Sequence, residues 1–218
     1  MADFQAMIDA LVDCDEAALV SLVNRNLASG TPAKEILNSG LIAGMDVVGA
    51  KMENEEMFIP EVLMAARAMA RGVEILKPLL GEDDTAGSGN VIIGTVKGDL
   101  HDIGKNLVAM MVESGGMTVH NLGVDVAPET FVTAIREKNA AVVCLSALLT
   151  TTMPMMKKTI AAITESGLRD QVRIMVGGAP VTEAFAREIG ADGFAPDAGS
   201  ATRLAKTFFS PAGGSSHV

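Results

Sequence analysis

The sequence predicts two parts, a bundle of four helices followed by an α/β domain built on a five-stranded parallel sheet. Two observations lead to this fold class. Residues 1–80 repeat their apolar side chains at a helical period, whereas from Val91 onward short apolar runs alternate with amphipathic stretches. Strands that alternate with helices are typical of a parallel sheet covered by helices on both faces. The chain has 218 residues, of which 49% are hydrophobic, so a substantial core can form.

The helical half contains four segments whose apolar residues share one face. The first two are centred on FQAMIDALVD and EAALVSLVNRNL. The third is expected to begin with Thr31 as N-cap and Pro32 as the first helical residue, since these residue types favour those positions. The fourth is expected to start near Pro60 and run through EVLMAARAMARGVEILKPLL. Four helices with short connections predict a bundle over residues 1–80.

The second half contains five strand candidates, and helices are expected between them. The strands are VIIGTV (91–96), MTVHNLG (117–123), AAVVCLSAL (140–148), VRIMVGG (172–178) and ADGFA (191–195). The helices are expected near 103–115, 128–138, 152–166, 181–189 and 198–209. This order predicts a Rossmann-like (flavodoxin-like) domain over residues 91–209. The acidic stretch GEDDTAGSGN (81–90) is predicted to be an interdomain linker, and residues 210–218 a disordered tail.

Composition excludes several classes of function. The net charge of −10 argues against a general nucleic-acid binder, which would show a basic face to phosphates. Cys14 and Cys144 lie far apart and match neither a disulfide framework nor a zinc motif. We find no signal peptide and no apolar run near the ~20 residues that a membrane span needs. A cytoplasmic protein without nucleic-acid or membrane partners is therefore expected.

The segment GDLHDIGKN, residues 98–106, carries the main chemical signal. It follows the first predicted strand, so His101 is expected at the carboxyl edge of the sheet, where ligands bind in such folds. Asp99 is in range to bond one ring nitrogen of His101 and leave the other free for a metal. Structural zinc needs four ligands. A lone histidine therefore indicates a macrocycle that brings its own equatorial ligands. Asp102 fits an acidic residue favoured at a helix N-terminus.

Other interpretations of the same positions stay open. His101 caps a helix or bonds to backbone in the simplest alternative, and turn geometry accounts equally for Ser146 at the end of strand three and for Gly177-Gly178 at the end of strand four. The loop GTVKGDLHDIG lacks both the dinucleotide pattern GxGxxG and a Walker A sequence. Asp125 alone is a weak candidate for a ribose-binding acid.

Taken together, these motifs resemble a known family. The pattern Asp99-x-His101-x-x-Gly104, followed by Ser146-x-Leu148 and then Gly177-Gly178, resembles the cobalamin-binding module of methionine synthase and of corrinoid methyl-carrier proteins. The stretch GMDVVGAKMENEEMFIPEVLMAARAM (44–69) is similar to the helical cap of these proteins. The resemblance spans residues 1–209 and is strongest to the small corrinoid proteins of methanogen and acetogen methyltransferase systems.

The resemblance implies a cofactor and a set of site residues. The cofactor would be cobalamin or a related corrinoid, in methylcobalamin and cob(I)alamin states, with His101 as the lower axial ligand of cobalt. Asp99 would orient His101, and Ser146 would complete the relay. The implied cofactor contacts are Gly98, Leu100, Asp102, Ile103 and Gly104 in the first loop, Leu148, Thr150, Gly177, Gly178 and Ala179 along the tail channel, Phe194, Asp197 and Ala198 near the tail base, and Phe58, Met57 and Met64 in the cap.

The resemblance also implies a function. The protein would carry a methyl group on cobalt between a substrate-specific methyltransferase of barrel fold and a second methyltransferase, with a reductive activase as a further partner. The donor would be a methylamine, methanol, betaine or a methoxyarene, and the acceptor a thiol or tetrahydrofolate. The chain would be a carrier component rather than a stand-alone enzyme. The alternatives are a subunit of an adenosylcobalamin isomerase, a B12-dependent sensor and a plain nucleotide-binding protein. Phe58 as simple bundle core is a further alternative.

Overall fold

The computed structural model describes residues 3–80 and 89–209, and these form two compact units. The first unit holds residues 3–80 together with Met110–Met117, and the second holds residues 89–109 and 118–209. The predicted linker and tail fall mainly on residues 81–88 and 210–218, which lie outside the described residues. One part of the linker prediction is wrong, because Asn90 is the first residue of a strand and pairs with Thr118.

The first unit is helical, as the apolar periodicity predicts. Its helices, with the π-helical and 3₁₀ segments in chain order, are α1 (Phe4–Val12), α2 (Glu16–Ala28), α3 (Ala33–Glu35), a π-helical segment (Ile36–Ile42), α4 (Ala43–Glu53), α5 (Ile59–Leu76) and a 3₁₀ turn (Lys77–Leu79). The stretch from α3 to α4 is continuous, so it acts as the third helix of the predicted four. Side chains that line the bundle core include Met7, Leu11, Leu19, Val23, Leu41 and Leu76.

Local sequence explains where these helices begin. The Asp3 and Asp15 carboxylates cap α1 and α2 by accepting backbone N–H groups of the first turn. The prediction for the third helix is wrong by one residue. The helix begins at Ala33, and Pro32 stands before it in an extended conformation with no side-chain cap. An acceptor at Thr31 is therefore too far from the first turn to serve as the N-cap.

The second unit is the predicted parallel α/β domain. Its strands are β1 (Asn90–Thr95), β2 (Thr118–Asn121), β3 (Val142–Ser146), β4 (Arg173–Gly177) and β5 (Gly193–Phe194). Its helices are the first part of α6 (Ile103–Ser114), α7 (Pro128–Lys138), α8 (Met153–Glu165), α9 (Glu183–Glu188) and α10 (Ala198–Phe209), with a 3₁₀ turn at Arg169–Gln171. All strands are parallel in the order β2-β1-β3-β4-β5, which is the flavodoxin-like order.

Burial of the central strands explains their sequence. Ile92, Val143 and Ile174 lie beside one another in neighbouring strands and are fully enclosed. Helices cover a parallel sheet on both faces, so its inner strands read as continuous apolar runs rather than alternating ones. The sheet therefore forms a rigid base for the loops at its carboxyl edge. No helix among residues 3–80 and 89–209 is long and apolar enough to cross a bilayer.

Candidate functional site

Three loops meet at the carboxyl edge of the sheet. The parallel register sets Thr95, the last residue of β1, beside Ser146, the last of β3, and Ser146 beside Gly177, the last of β4. The loops that follow these strands therefore start at the same level. They contain GDLHDIG, ALLTTT and GA, which are the segments that the sequence analysis assigned to one site.

Asp99 lies at the centre of this arrangement and is fully buried. Its Oδ1 accepts hydrogen bonds from the ring Nδ1 of His101 at 2.7 Å and from the His101 backbone N–H at 3.1 Å. Its Oδ2 accepts from the backbone N–H groups of Leu148 and Leu149 at 2.8 and 3.3 Å and from the Thr152 hydroxyl at 2.7 Å. Every contact is a donor, so the site is built for an ionised carboxylate.

The charge state of Asp99 follows from two opposing effects. Burial by itself raises the pKa of the carboxyl group, because it disfavours the charged form. The hydrogen bonds from Thr152, His101 and Leu148 outweigh burial and hold the pKa of Asp99 well below its ordinary value of 3.8. Asp99 is therefore ionised at neutral pH.

An ionised Asp99 decides the tautomer of His101. A carboxylate only accepts hydrogen bonds, so Nδ1 of His101 carries a proton and donates it. In the neutral ring, Nε2 then holds a lone pair. The His101 side chain is 49% exposed, and within the described residues no side chain or backbone group bonds to Nε2. The arrangement is that of a metal-ligating histidine oriented by a carboxylate.

The relay contains a hydroxyl, but it belongs to a different residue from the one expected. Among the described contacts of Asp99, the hydroxyl comes from Thr152 and not from Ser146. The prediction for Ser146 is therefore wrong. Ser146 is the last residue of β3, where its carbonyl accepts the Val96 N–H as part of the sheet edge. Thr152 lies one turn beyond the strand, directly before α8, and the three hydroxyl residues in the run LLTTT are the sequence signal for this partner.

Large apolar side chains in the loops that hold Asp99 and His101 are exposed. Leu100 and Ile103 are 72% and 79% exposed, and Leu148 and Leu149 are 41% and 42% exposed. Exposure of such residues in a cluster is unusual on a soluble surface and marks a binding face. The cluster lies in the same loops that hold Asp99, so its apolar surface and the free Nε2 belong to one site.

These residues fit a corrinoid. The corrin ring brings the other ligands of its cobalt, so a protein that binds the metal directly needs to offer only one ligand, together with apolar surface for the ring. His101 offers the nitrogen, and Leu100, Ile103, Leu148 and Leu149 offer the bed. No cluster of three or more His, Cys, Asp or Glu side chains suited to a metal ion occurs within 3–80 and 89–209.

The glycines in the site are explained by different physical constraints on their positions. Gly98 has φ of +85°, a left-handed conformation that the turn before Asp99 requires. Gly178 has φ of +130°, and a Cβ there would lie 1.9 Å from the Ala147 carbonyl oxygen. At Gly177 a Cβ would lie 2.9 Å from the Ala195 carbonyl oxygen, so close backbone packing accounts for this pair. Gly104 differs, because a Cβ there would meet nothing within 4 Å.

Several of the other implied contacts already have structural partners. Both carboxylate oxygens of Asp197 bond to Ser200, through its N–H and its hydroxyl, and so cap α10. Asp102 accepts a hydrogen bond from the Asn106 side chain in the first turn of α6. Phe194 packs against the sheet core and Ala198 is buried, whereas Ala179 and Thr150 are exposed. Cofactor contacts at these positions stay predictions.

The first unit carries the three predicted cap residues. Phe58 is 64% exposed and Met64 is 55% exposed, so neither belongs to the bundle core. This exposure is against the alternative that Phe58 is plain core. Met57 is buried, which favours a packing role for that side chain. Phe58 directly precedes α5, and its N–H donates to the Glu61 carboxylate at 2.8 Å, which fixes the backbone there.

Comparison with known families defines the class of this protein. Residues 89–204 match a B12 binding domain, and residues 4–77 match a second B12 binding domain model. The chain is therefore a B12-binding protein. Its flavodoxin-like sheet presents a carboxylate-oriented histidine at the carboxyl edge, and a helical bundle precedes that domain in the chain. More narrowly, the chain belongs to the corrinoid proteins, as its relatives show.

Three relatives illustrate the family. A dimethylamine corrinoid protein of Methanosarcina acetivorans is 43% identical over 203 residues, which cover 93% of this chain and 95% of the relative. A cobalamin-binding protein from Desulfitobacterium hafniense has a crystal structure with a TM-score of 0.83 and 31% identity, covering 95% of this chain and 99% of that one. The methanol:cobalamin methyltransferase complex MtaBC of Methanosarcina barkeri gives a TM-score of 0.81 and 27% identity, over 94% of this chain and 78% of that one.

Proposed function

We propose that this protein carries a methyl group between two methyltransferases, one specific for the methyl donor and one for the acceptor. When bound, the corrinoid supplies a cobalt ion that accepts a methyl group and later releases it. The observation that carries the proposal is the His101 imidazole, whose Nδ1 is held by the buried Asp99 carboxylate while its Nε2 stays unbonded in an apolar cluster. The relatives named after dimethylamine and methanol support a small methylated amine or alcohol as the donor.

The residues of the chain have defined tasks in this function. His101 would provide the protein's nitrogen ligand to the metal, and Asp99 holds the imidazole in the tautomer that leaves Nε2 available. Thr152, Leu148 and Leu149 keep Asp99 ionised. The Asp99–His101 hydrogen bond can hold a proton at Nδ1 of the imidazole. The exposed Leu100 and Ile103 side chains would help to exclude water from a bound corrinoid.

The partners follow from this role. A carrier cannot select its own donor, so a substrate-specific methyltransferase of barrel fold and a second methyltransferase complete the cycle. A reductive activase restores the cofactor after accidental oxidation. Phe58 and Met64 are proposed to contact the face of the ring that bears the methyl group, because both are large, apolar and exposed.

The test is reconstitution of the protein with hydroxocobalamin, with visible and EPR spectra of the product. Wild type should take up one corrinoid per chain. His101→Ala should shift the spectra toward a form without a protein nitrogen ligand. His120→Ala is the matched control, because His120 lies in β2 and its Nε2 contacts Asn90 at 3.2 Å. Absent uptake in wild type contradicts corrinoid binding, and an unchanged His101→Ala spectrum contradicts the assigned ligand.

Methyl transfer needs its own experiment, since an isomerase subunit or a sensor would also bind the cofactor. The loaded, reduced protein is incubated with a methylamine or methanol and a thiol, with and without the two methyltransferases. We expect thiol methylation only when both methyltransferases are present. Binding of corrinoid without methyl transfer in any combination would favour the isomerase or sensor alternative.

A further inference from the structure

A second loop contacts the main chain just before His101, through Gly98 and Asp99. This loop, residues 122–126, connects β2 to α7. The Asp125 carboxylate accepts the Gly98 N–H at 2.7 Å, and the Asp125 N–H donates to the Asp99 carbonyl oxygen at 2.9 Å. The two residues next to each other in the turn, Gly98 and Asp99, are thus held by one residue through two bonds in opposite directions.

The backbone of Asp125 is strained in a way that this contact explains. Its φ is +55°, a left-handed conformation that is uncommon outside glycine, although Asp and Asn tolerate it better than most residues. Strain of this kind persists only where the surroundings hold it. Here the loop is held by main-chain bonds to the end of β1, from Thr95 N–H to the Gly123 carbonyl at 3.0 Å and from Val126 N–H to the Thr95 carbonyl at 3.0 Å.

The His101 peptide is therefore anchored at three separate points. The Asp99 carboxylate is fixed by the loop after β3, and the Asp99 main chain is fixed by Asp125. The His101 carbonyl accepts the hydroxyl of the buried Thr95 at 2.8 Å. The Asp99 N–H donates to the Val96 carbonyl at 3.1 Å and closes the turn before Asp99, and the Asp125 carboxylate holds the Gly98 N–H within that turn.

The ion pair between Asp125 and Lys97 contributes less to holding the turn than the hydrogen bonds to Gly98 and Asp99 do. Lys97 Nζ lies 2.9 Å from Asp125 Oδ2, but both side chains are largely solvated, at 51% and 41% exposure. Exposed ion pairs of this kind add little. The hydrogen bond to the Gly98 N–H and the left-handed backbone at residue 125 are the features that place the turn.

We propose that Asp125 is a positioning residue for the cobalt ligand. It fixes the Gly98–Asp99 turn so that the Asp99 carboxylate reaches His101 and the donors of the β3 loop at the same time. The role of His101 as a cobalt ligand rests on the proposed function, whereas the effect of Asp125 on the turn does not. In the sequence, Asp125 stands out only as a weak candidate for a ribose-binding acid.

The first test uses hydrogen exchange in the protein without corrinoid. Asp125→Ala removes the carboxylate, and Asp125→Gly removes it while relieving the left-handed strain, so the glycine variant keeps the test valid if alanine destabilises the fold. In both, the amides of His101 and Leu148 should exchange roughly tenfold faster, although their acceptor, Asp99, is untouched. Asp125→Asn should restore slow exchange, because its amide oxygen can accept the Gly98 N–H.

Two further variants serve as controls. Lys97→Gln removes the ion pair and keeps the bond to Gly98, so exchange at His101 should change by no more than about twofold. Glu56→Gln breaks a comparable exposed pair with Lys51 in the first unit and should leave these amides unchanged. A Lys97→Gln effect as large as that of Asp125→Ala would overturn the assignment to the hydrogen bonds.

The second test uses EPR of the cob(II)alamin-loaded protein. Wild type should show the splitting that a nitrogen ligand imposes on the Co(II) signal, and Asp125→Gly should show a mixture with an unsplit signal. Faster exchange confined to Gly98, with normal His101 and Leu148 amides and a wild-type EPR spectrum, would overturn the proposal. Failure of wild type to bind the cofactor would instead contradict the proposed function, while the exchange result would stand.

Discussion

The Thr152 hydroxyl lies 2.7 Å from Oδ2 of Asp99, on the carboxylate oxygen that the His101 ring does not use. His101 and Thr152 thus donate to different oxygens of the buried Asp99 carboxylate. This division explains how a single carboxylate remains ionised inside the protein and still orients an imidazole. It also links the loop after β3 to the metal-ligand loop through a side chain rather than through the sheet.

The first prediction separates Thr152 from Ser146. Thr152→Val keeps the shape but removes the hydroxyl, so the ionised Asp99 loses a charge-assisted hydrogen bond. We expect the free energy of unfolding to fall by about 1.5–3 kcal/mol. Urea denaturation of the protein without corrinoid measures this. Ser146→Ala is the control and should change stability by less than about 0.5 kcal/mol. Equal losses of unfolding free energy in the two variants would contradict the assignment of Thr152, rather than Ser146, as the hydroxyl partner of Asp99.

The second prediction concerns Gly104, whose position is open. A Cβ at residue 104 meets nothing within 4 Å, so Gly104→Ala should keep or raise the stability of the protein without corrinoid by up to about 1 kcal/mol. If this open space receives the cofactor, corrinoid affinity should fall at the same time. Absorbance titration with hydroxocobalamin checks the affinity, and wild-type affinity in the variant would exclude a contact there.

Gly178 provides the contrast for that experiment. Gly178→Ala places a Cβ 1.9 Å from the Ala147 carbonyl oxygen and adds left-handed strain. We expect a loss of at least about 2 kcal/mol in stability. A small loss would mean that the loop after β4 moves more freely than the packing indicates.

The third prediction concerns Phe58. Because its side chain is 64% exposed, Phe58→Ala should change the stability by less than about 0.5 kcal/mol. Photolysis of bound methylcobalamin should become faster in this variant. The aromatic ring is proposed to contact the methyl face of the cofactor and to hold the methyl radical close enough to recombine with cobalt. Stopped illumination followed by visible spectroscopy gives the rate. An unaltered rate would remove Phe58 from the site, and Leu63→Ala, a neighbouring exposed apolar residue, is the control.

The fourth prediction is a pH dependence. Burial raises the pKa of the Cys144 thiol from 9.0 to about 12, so the folded state keeps this thiol neutral where the unfolded state ionises. Below pH 9.0 the thiol is neutral in both states, so Cys144 does not affect the pH dependence of stability. As the pH rises from 9.0 toward 12, only the unfolded state ionises, so stability is lost. The slope is at most about 1.4 kcal/mol per pH unit. A neutral thiol is also a poor nucleophile, which keeps Cys144 from competing as a methyl acceptor.

Urea unfolding at about pH 8 and about pH 10 measures this dependence in wild type and in Cys144→Ala. The variant should lose less stability than wild type across that interval, because it lacks the buried thiol. The same pH dependence in both proteins would show that Cys144 is not shielded from ionisation.

Much of the site was predictable because its parts lie in short segments with a strong local signal. His101 and Asp99 are two residues apart, and a histidine after the first strand of a parallel sheet has a defined place at the carboxyl edge. The hydroxyl partner was not predictable in the same way. Ser146 ends β3 and Thr152 follows six residues later, and only the course of the loop decides which of them reaches Asp99.

The sequence by itself determined the two-part architecture, the parallel sheet and the position of the metal ligand. Apolar periodicity and strand order are local properties, since each depends on which faces of an element are buried. The tertiary structure alone decided which donors surround Asp99 and how Asp125 holds the turn before it. Those contacts join residues 26 to 53 positions apart in the chain, and their geometry exists only once the sheet brings three loops to one edge.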